Sequence, residues 1–125
     1  MADRAIVGCI DDNDAVREAL GGLLLSVGCA AVLFASAEAF LLHRGKGDMA
    51  CLITDIRLGG MSGLELLRVL AADGNAIPAI VISSLDAPQL REQALRAGAV
   101  GFLCKPICDA ELLVLLDGIL GRGSP

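Results

Sequence analysis

Three carboxylates, a hydroxyl and an ammonium carry the chemistry open to this sequence. Asp11 and Asp12 stand side by side after one short apolar run, and Asp55, Ser83 and Lys105 each follow another. Carboxylates brought close together repel one another unless a cation lies among them. An all-oxygen donor set suits a hard divalent ion such as Mg²⁺, or Mn²⁺ in its place. Beside such an ion a carboxylate is a nucleophile towards phosphorus. An ammonium then neutralises the phosphoryl oxygens, and a hydroxyl hydrogen-bonds to one of them. The combination is one for phosphoryl transfer, provided the fold brings these five positions to one place.

The pattern of the chain says that it does. Apolar runs at Ala5–Ile10, Ala31–Ala35, Ala50–Thr54, Ala79–Ile82 and Val100–Cys104 read as strands. Between and after them, Asp14–Val27, Ala37–Arg44, Gly63–Ala72, Ala87–Ala97 and Asp109–Leu120 read as helices. Asp14 is placed to cap the first helix and Ser36 the second, with Glu38 close behind it. Pro88 fits a first turn, and Gly28, Gly74 and Gly98 each follow a helical stretch. Five strand–helix units in series predict an α/β fold with a doubly wound parallel sheet. Such sheets bind ligands beyond the carboxyl ends of their strands, where all five chemical residues fall.

With 125 residues the chain makes one domain, predicted over 1–121, with 122–125 a tail or the start of a linker. Hydrophobic residues make up 55% and aromatics 2%, so the core is built from Ala, Val, Ile and Leu. That composition fits a sheet covered on both faces. A net charge of -5 without basic clusters excludes direct nucleic-acid binding by this chain. Cys9, Cys29, Cys51, Cys104 and Cys108 are odd in number and form no C-x-x-C pair, which predicts structural thiols in a cytoplasmic protein. Ala19–Ala37 carries no charge and approaches the length of a bilayer span, but Gly21, Gly22, Ser26 and Gly28 break it. It reads as a helix end followed by a strand, in a protein that does not enter a membrane.

Four strings at four consecutive strand ends carry a family resemblance. I-D-D-N-D at Ile10–Asp14, T-D-I-R-L-G-G-M-S-G at Thr54–Gly63, V-I-S-S at Val81–Ser84 and A-G-A-V-G-F-L-C-K-P at Ala97–Pro106 resemble a bacterial response-regulator receiver domain. The resemblance covers almost the whole chain. It implies a flavodoxin-like sheet in the order 2-1-3-4-5 and a switch rather than a turnover enzyme, one that assists its own phosphorylation and dephosphorylation. Asp55 is the implied phosphoacceptor, served by a histidine kinase or phosphotransfer protein. Asp12 is the implied direct ligand of Mg²⁺, Asp11 a direct or water-mediated one, and the Arg57 backbone carbonyl a further donor. Ser83 and Lys105 match the residues that meet the phosphoryl group, and Phe102 the aromatic that follows Ser83. The peptide before Pro106 is implied to be cis. The output surface is the fourth helix, fifth strand and fifth helix, where a homodimer forms or a helix-turn-helix output domain of a longer parent chain is controlled. The departure is Gly59, where the family usually has proline, followed here by Gly60. It makes that loop more flexible and leaves the chemistry alone.

Other readings compete residue by residue. Asp11 and Asp12 also suit a turn, Ser83 a strand end bonding its own backbone, Lys105 a helix end and Phe102 the core. His43 lacks a second ligand at helical spacing and reads as a surface residue. Asp109 and Glu111 complement the dipole of the last helix. Asp12-Asn13-Asp14 has the D-x-D shape of haloacid-dehalogenase-like phosphatases, but the chain is short for one and lacks the late acidic pair. A pseudo-receiver, regulated by binding alone, would lack the complete site. The last helix carries Leu112, Leu113, Leu115, Leu116, Ile119 and Leu120, more apolar surface than one core-facing stripe needs. Leu116 is accordingly expected to be a position at which a charge reports on a docking face.

Overall fold

The computed structural model describes residues 4–75 and 77–121; the expected tail at 122–125 lies outside them. Its elements are β1 (Ile6–Ile10), α1 (Asp14–Ser26), β2 (Ala30–Phe34), α2 (Ala37–Leu42), a 3₁₀ turn (Lys46–Asp48) and β3 (Cys51–Asp55). Then come α3 (Gly63–Ala72), β4 (Ala79–Ser83), α4 (Pro88–Arg96), β5 (Ala99–Cys104) and α5 (Asp109–Leu120). All strand pairs are parallel, in the order β2-β1-β3-β4-β5.

Every residue of β3 and β4 is buried, which is why these segments read as apolar runs up to Ile53 and Ile82. Alternate residues feed two cores. Leu52 and Val81 pack with Phe40, Leu66, Leu67 and Ala94 beneath α2, α3 and α4. Cys9, Ile53, Ile80 and Ile82 pack with Leu20, Leu24, Leu112 and Leu116 beneath α1 and α5. The uncharged stretch Ala19–Ala37 divides into the end of α1, a turn at Gly28 (φ 83°) and β2. Among the described residues no helix is long and apolar enough to cross a membrane.

Four local expectations need correction. The cap of α1 is Asn13, whose side chain accepts the Val16 N–H; Asp14 is the first helical residue and pairs with Arg17. Helix α2 stops at Leu42 because His43 leaves helical geometry. His43 is not a plain surface residue either: it is half-buried, with its ring edge-on to Phe34 at 5.2 Å. Finally, Leu116 is only 2% exposed and belongs to the core, whereas Val114 is 70% exposed. The apolar surplus of α5 therefore faces outward at Val114, and a charge at Leu116 would test the core instead.

Candidate functional site

The strand ends deliver the site. Beyond β1, the Asp11 N–H donates to the Phe34 carbonyl at 3.2 Å, continuing the pairing with β2. This leaves Asp11 1% exposed. Its Oδ1 accepts the Asn13 N–H at 2.9 Å, and its carbonyl accepts the Arg17 guanidinium at 2.7 Å. Asp55 is the last residue of β3, paired in register with Ile82, and is 7% exposed. Its Oδ1 accepts the Arg57 N–H at 3.1 Å. The Thr54 hydroxyl donates to the Asp55 carbonyl at 3.0 Å.

Lys105 joins the two acids. Its N–H donates to the Ser83 carbonyl at 2.8 Å, holding the chain just after β5 against β4. The Lys105–Pro106 peptide is cis. The ammonium donates to Asp55 Oδ2 at 2.6 Å and to Asp11 Oδ2 at 3.0 Å. Burial works against that ammonium, but the hydrogen bonds and charges of Asp55 and Asp11 outweigh it, so its pKa lies above the ordinary lysine value. Residues 94 and 50 positions apart in sequence thus meet at one buried rim.

The remaining positions fall as follows. Ser83 is 4% exposed at the end of β4, and its hydroxyl accepts the Leu85 N–H at 3.0 Å. Asp12 is exposed beside Asp11, and the Arg57 side chain faces solvent. Phe102 lies inward, 6% exposed, with the Arg91 guanidinium 5.0 Å over its ring. The crowding of three carboxylates is drawn differently from the expectation. Asp11 and Asp55 converge on the ammonium, and among the described residues no group of three or more His, Cys, Asp or Glu side chains is arranged to hold a metal ion. The donor chemistry nonetheless fits Mg²⁺, since Asp11 and Asp55 bring hard carboxylate oxygens to this rim and the exposed carboxylate of Asp12 adjoins Asp11 in sequence.

Three supporting residues escape a reading of the sequence. Arg17 holds the Asp11 carbonyl, Glu38 accepts the Met61 N–H at 2.8 Å, and Gly63 packs on the Asp55 backbone, where a Cβ would lie 2.2 Å from the carbonyl oxygen. Each works through backbone atoms, so residue type and spacing carry no sign of it. The available hints are the acid of Glu38 just inside a helix start and the place of Gly63 at the end of the family-like string Thr54–Gly63.

Comparison with known proteins agrees with this fold. A family profile for the response regulator receiver domain matches residues 7–117. The chain is 41% identical over 124 residues to the transcriptional regulatory protein FixJ of Azorhizobium caulinodans, covering 99% of this chain and 59% of that protein. It is 41% identical over 114 residues to the response regulator protein TodT of Pseudomonas putida, covering 90% and 50%. The crystal structure of FixJ-N superposes with a TM-score of 0.84 at 35% identity, covering 100% of this chain and 99% of that one. The chain spans about half to three-fifths of the length of these curated relatives. The sheet order, the strand-end acids joined by one lysine and the match along nearly the whole chain lead to one conclusion: the chain belongs to the response regulator receiver domain family, the phosphoacceptor modules of two-component signalling.

Proposed function

We propose that Asp55 is the phosphoacceptor of this receiver and that Asp11, Asp12, Ser83 and Lys105 serve the transfer. The observation that carries the reading is the ammonium of Lys105 hydrogen-bonded at once to Asp55 and Asp11 at the buried rim. A carboxylate oxygen of Asp55 attacks the phosphorus of a phosphohistidine on a histidine kinase or phosphotransfer protein. The P–O bond forms as the P–N bond breaks, and the leaving imidazole takes up a proton. Lys105, already in place on Asp55 Oδ2, compensates the negative charge that arrives. Ser83 gives up its bond to the Leu85 N–H and donates its hydroxyl to a phosphoryl oxygen. Asp11, Asp12, Asp55 and the Arg57 carbonyl would hold Mg²⁺, which when bound offsets the charge of the phosphoryl oxygens.

The response would leave through the face of α4, β5 and α5. A groove of about 550 Å³ there is lined by Arg91, Leu95, Val100, Phe102, Glu111 and Val114. Phe102 already points inward, so the response to Ser83 is a change in how α4 and Arg91 cover the ring. A second copy of the chain, or a helix-turn-helix output domain in a longer parent, is the partner proposed for this face. A switch is favoured over a phosphatase because Asp12, the nucleophile of that alternative, is exposed while Asp55 bears the lysine. The five free thiols fit a reducing compartment such as the cytoplasm. The test is incubation with an acyl phosphate and Mg²⁺. Intact mass should show one added phosphoryl group on the wild type and none on Asp55→Asn; equal labelling of the two overturns the assignment.

A further inference from the structure

The loop that follows Asp55 is secured at both ends. The Arg57 N–H donates to Asp55 Oδ1 at its start. At its finish the Gly63 N–H donates to the Ile56 carbonyl at 3.0 Å, and Ser62 and Glu65 form a reciprocal cap on α3. Its middle contains Gly59 and Gly60, both exposed, and two successive glycines leave the backbone many conformations. Into this middle reaches a residue from elsewhere. Glu38 of α2, 23 residues away, accepts the Met61 N–H on Oε2 at 2.8 Å. The carboxylate lies over Gly60, where a Cβ would stand 2.4 Å from Oε2 and 3.1 Å from Oε1. The Met61 N–H holds the Glu38 carboxyl below its ordinary pKa, so the acceptor is charged at neutral pH.

We propose that Glu38 is a positioning residue for phosphoryl acceptance: by holding Met61 it sets the conformation of the loop after Asp55, and Gly60 leaves the room this contact needs. The proposal rests on Asp55 being the acceptor. Arg57 links the two sites, since its N–H bonds Asp55 and its carbonyl lies in the same loop. With Met61 released, both ends of the loop stay anchored, but its middle gains freedom at the two glycines between Arg57 and Met61. The cost should appear in how well Mg²⁺ is captured, because the plateau rate depends on Asp55 and Lys105, which Glu38 does not touch.

The experiment is a double-mutant cycle on the whole chain with Glu38→Ala, Gly60→Ala and the pair, plus Glu38→Gln. Gly60 is not among the glycines with positive φ, so alanine fits its backbone and perturbs chiefly the carboxylate. Labelling by acyl phosphate is followed against Mg²⁺ concentration, together with hydrogen exchange at the Met61 amide. Glu38→Ala should raise the half-saturating Mg²⁺ by roughly 3- to 10-fold, the worth of one hydrogen bond, with little change in the plateau rate. Gly60→Ala should do the same, the pair should be no worse than either alone, and Glu38→Gln should keep the Mg²⁺ requirement near the wild-type value, because its amide oxygen still accepts the Met61 N–H. Met61 exchange should quicken in both alanine variants while amides in β3 stay protected. Fully additive effects, unchanged Met61 exchange, or an unchanged Mg²⁺ requirement overturns the proposal. Labelling of the wild type anywhere but Asp55 overturns the acceptor reading and the proposal with it, whereas the exchange data still report whether the contact exists.

Discussion

Replacing Lys105 with alanine removes two charge-assisted hydrogen bonds at once, at 2.6 Å to Asp55 and 3.0 Å to Asp11, and leaves two buried carboxylates without their common cation. Hydrogen bonds to charged groups contribute about 1.5–3 kcal/mol each. Taking one partner from a buried ion pair costs about 3–5 kcal/mol. The Lys105 side chain is 25% exposed, so water reaches the acids once it is gone. The loss therefore falls below that range, at about 2–3 kcal/mol. At roughly 4 °C per kcal/mol for a domain of this size, the metal-free Tm falls by about 8–12 °C. Adding Asp55→Asn to Lys105→Ala should recover part of the loss, because it removes one of the stranded charges. Mg²⁺ should raise the Tm of the alanine variant more than that of the wild type, where the ammonium already neutralises the acids. The lysine pKa is raised in the folded protein, so its contribution is fully present below the ordinary value of 10.5 and is lost as pH rises through the higher folded value. The gap between the two proteins should thus persist through neutral pH and close only in strong alkali. Thermal unfolding by circular dichroism, in chelator and in Mg²⁺, measures all of this. A metal-free Lys105→Ala protein that melts at or above the wild type would show that the lysine does not stabilise the two acids.

Asp12 is exposed, so Asp12→Ala should leave metal-free stability within about 0.5 kcal/mol while weakening Mg²⁺ binding; calorimetric titration and melting read the two separately. Leu116→Ala should cost about 2–5 kcal/mol as a core deletion, whereas Val114→Glu should leave stability near wild type and weaken any association through the α4–β5–α5 face, measured by denaturant titration and sedimentation. Burial pushes the Cys9 and Cys51 thiols up to about 12. At pH 8 a maleimide should therefore modify exposed Cys108 well before either of them, and modification of Cys9 or Cys51 should track unfolding.

The site was legible in the sequence where chemistry coincides with strand ends. β3 and β4 are buried on both faces, so their ends are marked where the apolar runs give way to polar residues, at Thr54–Asp55 and at Ser83. The meeting of Asp11, Asp55 and Lys105 follows from parallel strands that all end on one side of the sheet. What stayed hidden depends on packing angle or on backbone partners. Asn13 and Asp14 are equally good caps by type, and the turn that lets Asp11 accept the Asn13 N–H decides between them. Helix α5 is apolar nearly all round, so only its docking against β3 and β5 tells that Leu116 faces in and Val114 out. Glu38 bonds a main-chain N–H 23 residues away, and Gly63 is required by a main-chain carbonyl. Neither contact leaves a mark on residue spacing.

Phosphoryl acceptance by Asp55 can be seen by trapping the acyl phosphate itself. After incubation with an acyl phosphate and Mg²⁺, borohydride reduces an aspartyl phosphate to homoserine, and tandem mass spectrometry locates the converted residue. Homoserine should form at position 55 alone, and nowhere when the metal is chelated. Conversion at Asp11 or Asp12, or no conversion of a protein that remains folded, would contradict acceptance by Asp55.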